Sequence, residues 1–377
     1  MATPASLYIH IPFCVRKCPY CGFFSVADAP HLVRPYLEAL LRELEGCAPE
    51  QPLRTVYIGG GTPTSLAAGD IRFLLAAVGE CFGHTPDCEF TVEANPGTLD
   101  GEKAAALREG GANRISLGAQ SFSETTLRTL GRIHGPDEIE RSVDLLRRAG
   151  FGNVGLDLIY AVPGQSLRQW EADLAAAVGL GVEHVSAYGL SFDEGTQFER
   201  SLREGAMKKA RDGVCLRMYE AARERLGAAG FAHYEISNFA RPGRESAHNC
   251  NYWHNGPYFG AGASATAFVG GERRTNVADI EEYIRLIGLC GKAPAFAERL
   301  DPEAFARETA AFNIRYLPGI ERRSFLERTG FDLDVLFGQA IAEHVAQGFL
   351  EFDGSVLRLT PKALPVADSI SASFLTP

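Results

Sequence analysis

Residues 6–25 read SLYIHIPFCVRKCPYCGFFS. The first six alternate bulky apolar side chains with others, the pattern of a strand. Directly after them Cys14, Cys18 and Cys21 fall in one loop with C-x3-C-x2-C spacing. Three thiols are too many for one disulfide and one short of a closed zinc site. Held reduced, they suit an iron–sulfur cube, fixed at three corners with the fourth iron free to take the amino group and carboxylate of a small molecule. His10 fits the strand alternation and reads as a strand residue rather than a fourth ligand. The plainer readings are a chance cluster of core cysteines and a zinc module, and the zinc module predicts colourless protein.

Reading outward, the strand–loop–helix rhythm repeats. "TVYIGGG", "EFTVEANP", "RISLGAQ", "NVGLDLIYAVPG" and "HVSAYGL" read as strands. Between them lie amphipathic stretches, the first being "PYLEALLRELEGC" with Tyr36, Leu37, Leu40, Leu41 and Leu44 on one helical face. Six such units ending near residue 230 predict an α/β fold. Its parallel sheet is either open or curled into part of a barrel. In such sheets functional groups gather after the carboxyl ends of strands. Here those ends carry the cysteines, Gly59-Gly60-Gly61, Glu93, Gln120, Asp157 and Tyr188-Gly189-Leu190. Their coincidence points to one shared site.

Beyond residue 230 the chain turns rich in Gly, Asn and aromatics, in "YEISNFARPGRESAHNCNYWHNGPYFGAGASA". Helical spacing returns around 278–289 and 301–313. The tail reads helix, strand, turn at Asp353-Gly354, strand, resembling a small winged-helix-like module that serves packing. The expected division is a core of residues 1–235 and a C-terminal domain of 236–377.

A formal net charge of -10 argues against a nucleic-acid partner at the whole-chain level. No N-terminal basic segment precedes an apolar run, and no stretch approaches the roughly 18 apolar residues of a membrane span. The expected location is the cytoplasm. Cys47, Cys81, Cys88, Cys215, Cys250 and Cys290 are scattered and expected mainly as small core residues.

Several strand-end residues have two readings each. The glycines either let backbone approach a ligand or make a tight turn. Glu93 is a site carboxylate or a solvated acid. Asp157, flanked by apolar residues, needs polar partners such as ribose hydroxyls. Arg132 offers a fork for a carboxylate. Thr62 is a ligand contact or a helix cap before Pro63.

The cysteine spacing after a strand resembles the radical S-adenosylmethionine (SAM) superfamily. "YIHIPFC", "GGGTPT", "NRISLGAQSF", "LGRIH", "DLIY", "SAYGL" and "HYEISNFA" together resemble its oxygen-independent coproporphyrinogen III oxidase group, over about residues 6–375. The resemblance implies a partial (β/α)6 TIM-like barrel with a smaller α+β C-terminal domain. It implies a [4Fe-4S] cluster on Cys14, Cys18 and Cys21. SAM contacts are implied at Tyr8, Tyr20, Gly60, Gly61, Thr62, Glu93, Gln120, Arg132 and Asp157, together with an electron donor.

That group holds two kinds of protein, oxidases acting on a porphyrinogen and HemW-type haem chaperones. The oxidases are similar but carry a longer N-terminal extension, for which the residues before the first strand leave no room. They also carry a further cysteine where Phe23 stands here. The chaperones carry HNxxYW, matched by His248, Asn249, Tyr252 and Trp253. The resemblance therefore implies a chaperone that binds haem and passes it to client proteins, with oxidase activity as the alternative. His248 is the implied haem ligand, with Cys250 and His254 open as substitutes; the plainer reading is that His248 and Trp253 simply pin a loop. Peripheral membrane visits are expected only where clients sit there. No catalytic residue is singled out.

Overall fold

The computed structural model describes residues 5–47 and 51–375. Alternation along β1 (Ser6–Ile11) sends Leu7, Ile9 and Ile11 to one face, where all three are fully buried. The pattern repeats with Val56 and Ile58 in β2 (Leu53–Gly60) and Phe90 and Val92 in β3 (His84–Ala94). It continues with Ile115 and Leu117 in β4 (Arg114–Gln120), Leu156 and Leu158 in β5 (Val154–Tyr160), and Val185 and Ala187 in β6 (His184–Gly189). These six strands lie parallel in chain order. Their apolar face packs in one core with helices α1 (Pro30–Gly46), α2 (Ala68–Cys81), α3 (Gly101–Glu109), α4 (Pro136–Arg148) and α5 (Leu167–Gly179). In α1, Tyr36, Leu37, Leu40 and Leu44 are buried as expected, and Leu41 is half-buried at the stripe's edge.

The other face is polar, with Tyr57, Glu93, Arg114, Ser116, Asp157 and Ser186, and all of these border one cavity. Five strands can share a cavity only if the sheet curls around it. The curl is not closed: the outermost strands of the nine do not pair with each other. The fold is thus the expected α/β partial barrel.

Both sheet edges are completed by later chain. After α6 (Asp212–Ala228), β7 (Ala232–His233) and β8 (Asn238–Ala240) add antiparallel strands beyond β6. After α7 (Ala247–Trp253), β9 (Phe259–Ala261) adds a parallel strand beside β1. The position 235/236 therefore lies inside the sheet, between β7 and β8. Glu43 of α1 fastens this later chain, accepting from Gly262 N (2.7 Å), Asn276 Nδ2 (2.7 Å) and Tyr283 Oη (2.6 Å). A second apolar cluster joins Tyr219 to residues from Ala306 to Phe374, around the sheet Ile320–Glu321, Val356–Leu359, Leu350–Phe352.

Of the scattered cysteines, Cys88 lies in the main core and Cys47, Cys81 and Cys215 pack against it, while Cys250 and Cys290 do not. Only Cys88 is buried, four are half-buried and Cys290 is exposed. Cys47, Cys81 and Cys290 stand at helix C-termini. No helix among the described residues is long and apolar enough to cross a membrane.

Candidate functional site

The cysteine loop and the next strand end are built as one unit. Phe13 and Cys14 pair with Val26 and Ala27 in a short parallel ladder that closes the loop. The backbone N–H groups of Gly61 and Thr62 donate to the carbonyls of Ile11 (2.8 Å) and Phe13 (2.7 Å). Gly60 has φ +106°, and a Cβ there would lie 2.4 Å from the His10 ring. A Cβ on Gly61 would lie 2.7 Å from the Phe13 carbonyl oxygen. The glycines are thus required first by the close packing of these two loops, which leaves bare backbone on the cavity wall.

The cavity at the carboxyl ends of the strands has a volume of about 400 Å³, within the range of small-molecule sites. Cys14, Cys18, Cys21, Tyr20, Gly60, Gly61, Thr62, Glu93, Gln120, Arg132 and Asp157 all border it. Tyr8 does not. It lines an adjoining pocket of about 280 Å³ that shares Gly22 and Phe23 with the cavity. Both ring nitrogens of His10 are engaged, Nδ1 with Tyr8 Oη (2.9 Å) and Nε2 with the Phe24 carbonyl (2.8 Å), so it is held as a strand residue.

A hydrogen-bond chain joins two of the cysteines. Thr62 Oγ1 lies 3.5 Å from Cys14 Sγ and accepts from Asn95 Nδ2 at 2.7 Å. Asn95 Oδ1 accepts from the Arg132 guanidinium, which also donates to Gly118 O (2.8 Å) and to Cys18 Sγ (3.4 Å). Thr62 makes no side-chain cap bond to the turn Pro63–Ser65, so its hydroxyl serves the cysteines instead. Arg132 brings positive charge against the loop that would carry a negatively charged metal thiolate.

Two carboxylates stand deeper. Glu93 accepts from Tyr57 Oη (2.7 Å) and Gly60 N (3.1 Å), and burial pushes it up to about 7. It is not the solvated acid of the plainer reading. Asp157 accepts from Ser186 Oγ (2.7 Å) and Ser116 Oγ (3.2 Å); burial raises its pKa and these bonds oppose the rise. Gln120 ends β4 at φ +66°, a left-handed conformation uncommon outside glycine, which marks strain at a site.

At the amino ends of the strands, α7 forms a plug. The Glu89 carboxylate caps it, accepting from Ala247 N (2.9 Å) and His248 N (3.0 Å). His248 is 0% exposed. Its Nδ1 bonds Thr55 Oγ1 at 2.8 Å, its Nε2 bonds Tyr252 Oη at 2.9 Å, and its ring stacks on Tyr57 with centroids 5.1 Å apart. Burial and the nearby Arg114 push it down to about 3, so it is neutral. The structure does not bring His248 to the cavity or leave it a free ring nitrogen; Asn249, its neighbour, does reach the cavity. Cys250 is half-buried, with its thiol pushed up to about 12 by burial, while His254 is exposed.

Residues 8–177 match the Radical SAM superfamily and residues 300–366 match the HemN C-terminal domain. Heme chaperone HemW of Bacillus subtilis (strain 168) is 35% identical over 374 residues, covering 98% of this chain and 99% of that protein. Heme chaperone HemW of Escherichia coli (strain K12) is 35% identical over 385 residues, covering 99% and 98%. The chain belongs to the HemW family. A solved structure of coproporphyrinogen III oxidase (HemN) from Escherichia coli overlays with a TM-score of 0.87, covering 99% of this chain and 90% of that one. At 23% identity that likeness shows the fold alone.

Membership in the superfamily implies a [4Fe-4S] cluster and SAM, and the residues present fit both. The three loop cysteines form no disulfide and border the same cavity. No three His, Cys, Asp or Glu among the described residues converge as ligands of a single ion. A cube takes one thiolate at each of three separated corners and leaves the fourth iron open. Bare backbone at Gly60 and Gly61, two carboxylates and a guanidinium supply partners for an amino acid and a ribose.

Sequence reasoning missed Asn95 and Arg114. Asn95 stands between Thr62 and Arg132, visible only once three strand ends meet. Arg114 is 1% exposed and borders the cavity, and among the described residues its side chain makes only a 3.4 Å bond, to Thr91 Oγ1. A lone arginine opening a strand carried no signal.

Proposed function

We infer that this HemW-family chain is a haem chaperone. It binds haem and passes it to client proteins, and carries a [4Fe-4S] cluster and SAM in the strand-end cavity. The observation that carries this reading is the match to heme chaperone HemW proteins along almost the whole chain. When bound, the cluster supplies an open iron and an electron to SAM. The protein holds the cluster through Cys14, Cys18 and Cys21. Gly60, Gly61, Thr62, Glu93, Gln120, Arg132 and Asp157 orient SAM, with Tyr20 on the cavity rim and Tyr8 at the adjoining pocket. An external electron donor serves the cluster.

The division of labour follows the chain: cofactor binding in residues 1–235, haem handling in 236–377, joined by the shared sheet. The HNxxYW segment and the histidine that follows it belong to the second part, which supplies the haem ligand. The working location is the cytoplasm, with contact to a membrane only through clients.

The test offers haem and coproporphyrinogen III separately to anaerobically reconstituted protein. Haem retained by the protein and transferred to an apo-haem protein is the expected result. Formation of protoporphyrinogen with SAM consumption would overturn the reading in favour of a decarboxylating oxidase.

A further inference from the structure

Three side chains of the HNCNYWH segment can ligate iron, and the structure separates them. His248 has both nitrogens engaged inside the fold. Cys250 and His254 lie four residues apart, one turn of helix, and so share a face. His254 is exposed and sits at the C-terminus of α7. Its Nδ1 lies 2.7 Å from the Cys250 carbonyl oxygen. A carbonyl only accepts, so Nδ1 carries the proton and Nε2 keeps its lone pair. Imidazoles that ligate metals are commonly held in this way, one nitrogen donating to a carbonyl and the other left for the metal.

The surroundings suit a flat ligand. The His254 ring centroid lies 4.9 Å from that of Tyr316, which belongs to the segment leading into the C-terminal module. Adjacent Trp253 is half-buried, with the Arg315 guanidinium 5.0 Å from its ring. Its indole N–H is buried without a partner among the described residues. Aromatic walls bind planar macrocycles, and the Arg315 guanidinium beside them is paired with Asp368, an exposed carboxylate that an incoming one would have to displace. Of the nine histidines, only His31, His84 and His254 are exposed. Among the described residues His254 alone of these three has a ring nitrogen tied to a carbonyl.

We propose that His254, through Nε2, is the axial ligand of haem, in a site on the outer face of α7 walled by Tyr316 and Trp253. This rests on the haem-chaperone reading and names its site. The haem then sits outside the strand-end cavity. His248 acts through the fold, holding α7 in place, and is a positioning residue.

The experiment titrates full-length, cluster-loaded protein with ferric haem, read by the Soret band and by the spin-state signature of histidine ligation. His254→Ala is expected to lose that signature and weaken haem binding at least about tenfold. Added imidazole should restore the signature, and Cys250→Ser should leave it intact. His254→Ala is solvent-facing and keeps the buried contacts of α7, so circular dichroism should match that of the parent protein. A folded His254→Ala protein with the parental spectrum and affinity overturns the assignment while the chaperone reading stands. Loss of the signature in Cys250→Ser overturns it equally. If the parent protein takes up no haem at all, the chaperone reading itself falls.

Discussion

The two ends of the curled sheet are built from similar side chains and treat them oppositely. At the carboxyl end, Cys14, Cys18, Cys21 and Arg132 border the cavity, and Gln120 stands there in a left-handed backbone conformation. At the amino end, Thr55, Glu89, His248 and Tyr252 are tied together by hydrogen bonds, and of the four only Tyr252 borders a pocket, the smaller adjoining one. Buried polar groups that are fully paired give rigidity, whereas groups that border a cavity are available to a ligand. The contrast separates ligand chemistry from architecture more sharply than the motifs do. HNxxYW looks like a binding motif, yet its histidine is part of the plug.

The largest expected effect is at the open end. Serine at Cys14, Cys18 or Cys21 should remove most of the iron and inorganic sulfide from anaerobically prepared protein. Cys250→Ser should remove none. Iron and sulfide assays decide this, and iron retained in all three loop variants breaks the comparison at its root.

The next effect is at the plug. His248→Ala removes a buried ring and leaves the hydroxyls of Thr55 and Tyr252 without their partner. The expected loss is about 3 kcal/mol of unfolding free energy, from the cavity and the unpaired groups together. Urea unfolding of the apo-protein measures it. A variant within about 0.5 kcal/mol of the parent, the range of an ordinary surface change, would show that the plug is not structural.

The ends should also differ in pH response. Glu93 has its folded pKa raised to about 7, mainly by burial. A raised carboxylate contributes stability below its unfolded value of roughly 4.3, lost as pH rises through about 7. His248 is depressed to about 3, mainly by burial, so its contribution is present above roughly 6.5 and lost as pH falls. Glu93→Gln should therefore gain about 2–3 kcal/mol on the parent apo-protein between pH 4.5 and 8, allowing for cavity water. His248→Gln should gain on it in the opposite direction, below pH 6.5. Paired denaturation curves across pH test both, and a flat Glu93→Gln difference would mean that the carboxylate is not desolvated.

Much of the open end was legible because it is local. Cysteine spacing, a glycine run and single polar residues at strand ends are features of short windows, and strand alternation placed them on one rim. The plug was not legible. Glu89 meets the N-terminus of α7 across more than 150 residues of chain, and nothing near either segment announces the pairing. The three-residue strands β8 and β9 are too short to show a period, so their entry into the sheet was invisible as well. The same holds for Asn95, which gains meaning only between Thr62 and Arg132. The HNxxYW histidine had two readings, a ligand or the pin of a loop, and what the segment alone does not show is that Thr55 and Tyr252 take both its ring nitrogens.

The smallest effect isolates what the open end gives up in stability. Gln120 adopts φ +66° at the end of β4 and reaches the cavity beside Arg132 and Asp157. A non-glycine residue in that region costs of order 1–2 kcal/mol, of which glycine recovers part while adding chain entropy to the unfolded state. Gln120→Gly should therefore stabilise the apo-protein slightly, by about 0.5 kcal/mol. It should also weaken SAM binding several-fold, because the amide that the strained backbone aims into the cavity is gone. Thermal unfolding and equilibrium dialysis with SAM read the two effects separately. A strained residue kept for binding predicts opposite signs. If Gln120→Gly loses stability and keeps its SAM affinity, the bend at the end of β4 belongs to the scaffold, and the line between the two ends must be drawn closer to the cysteines.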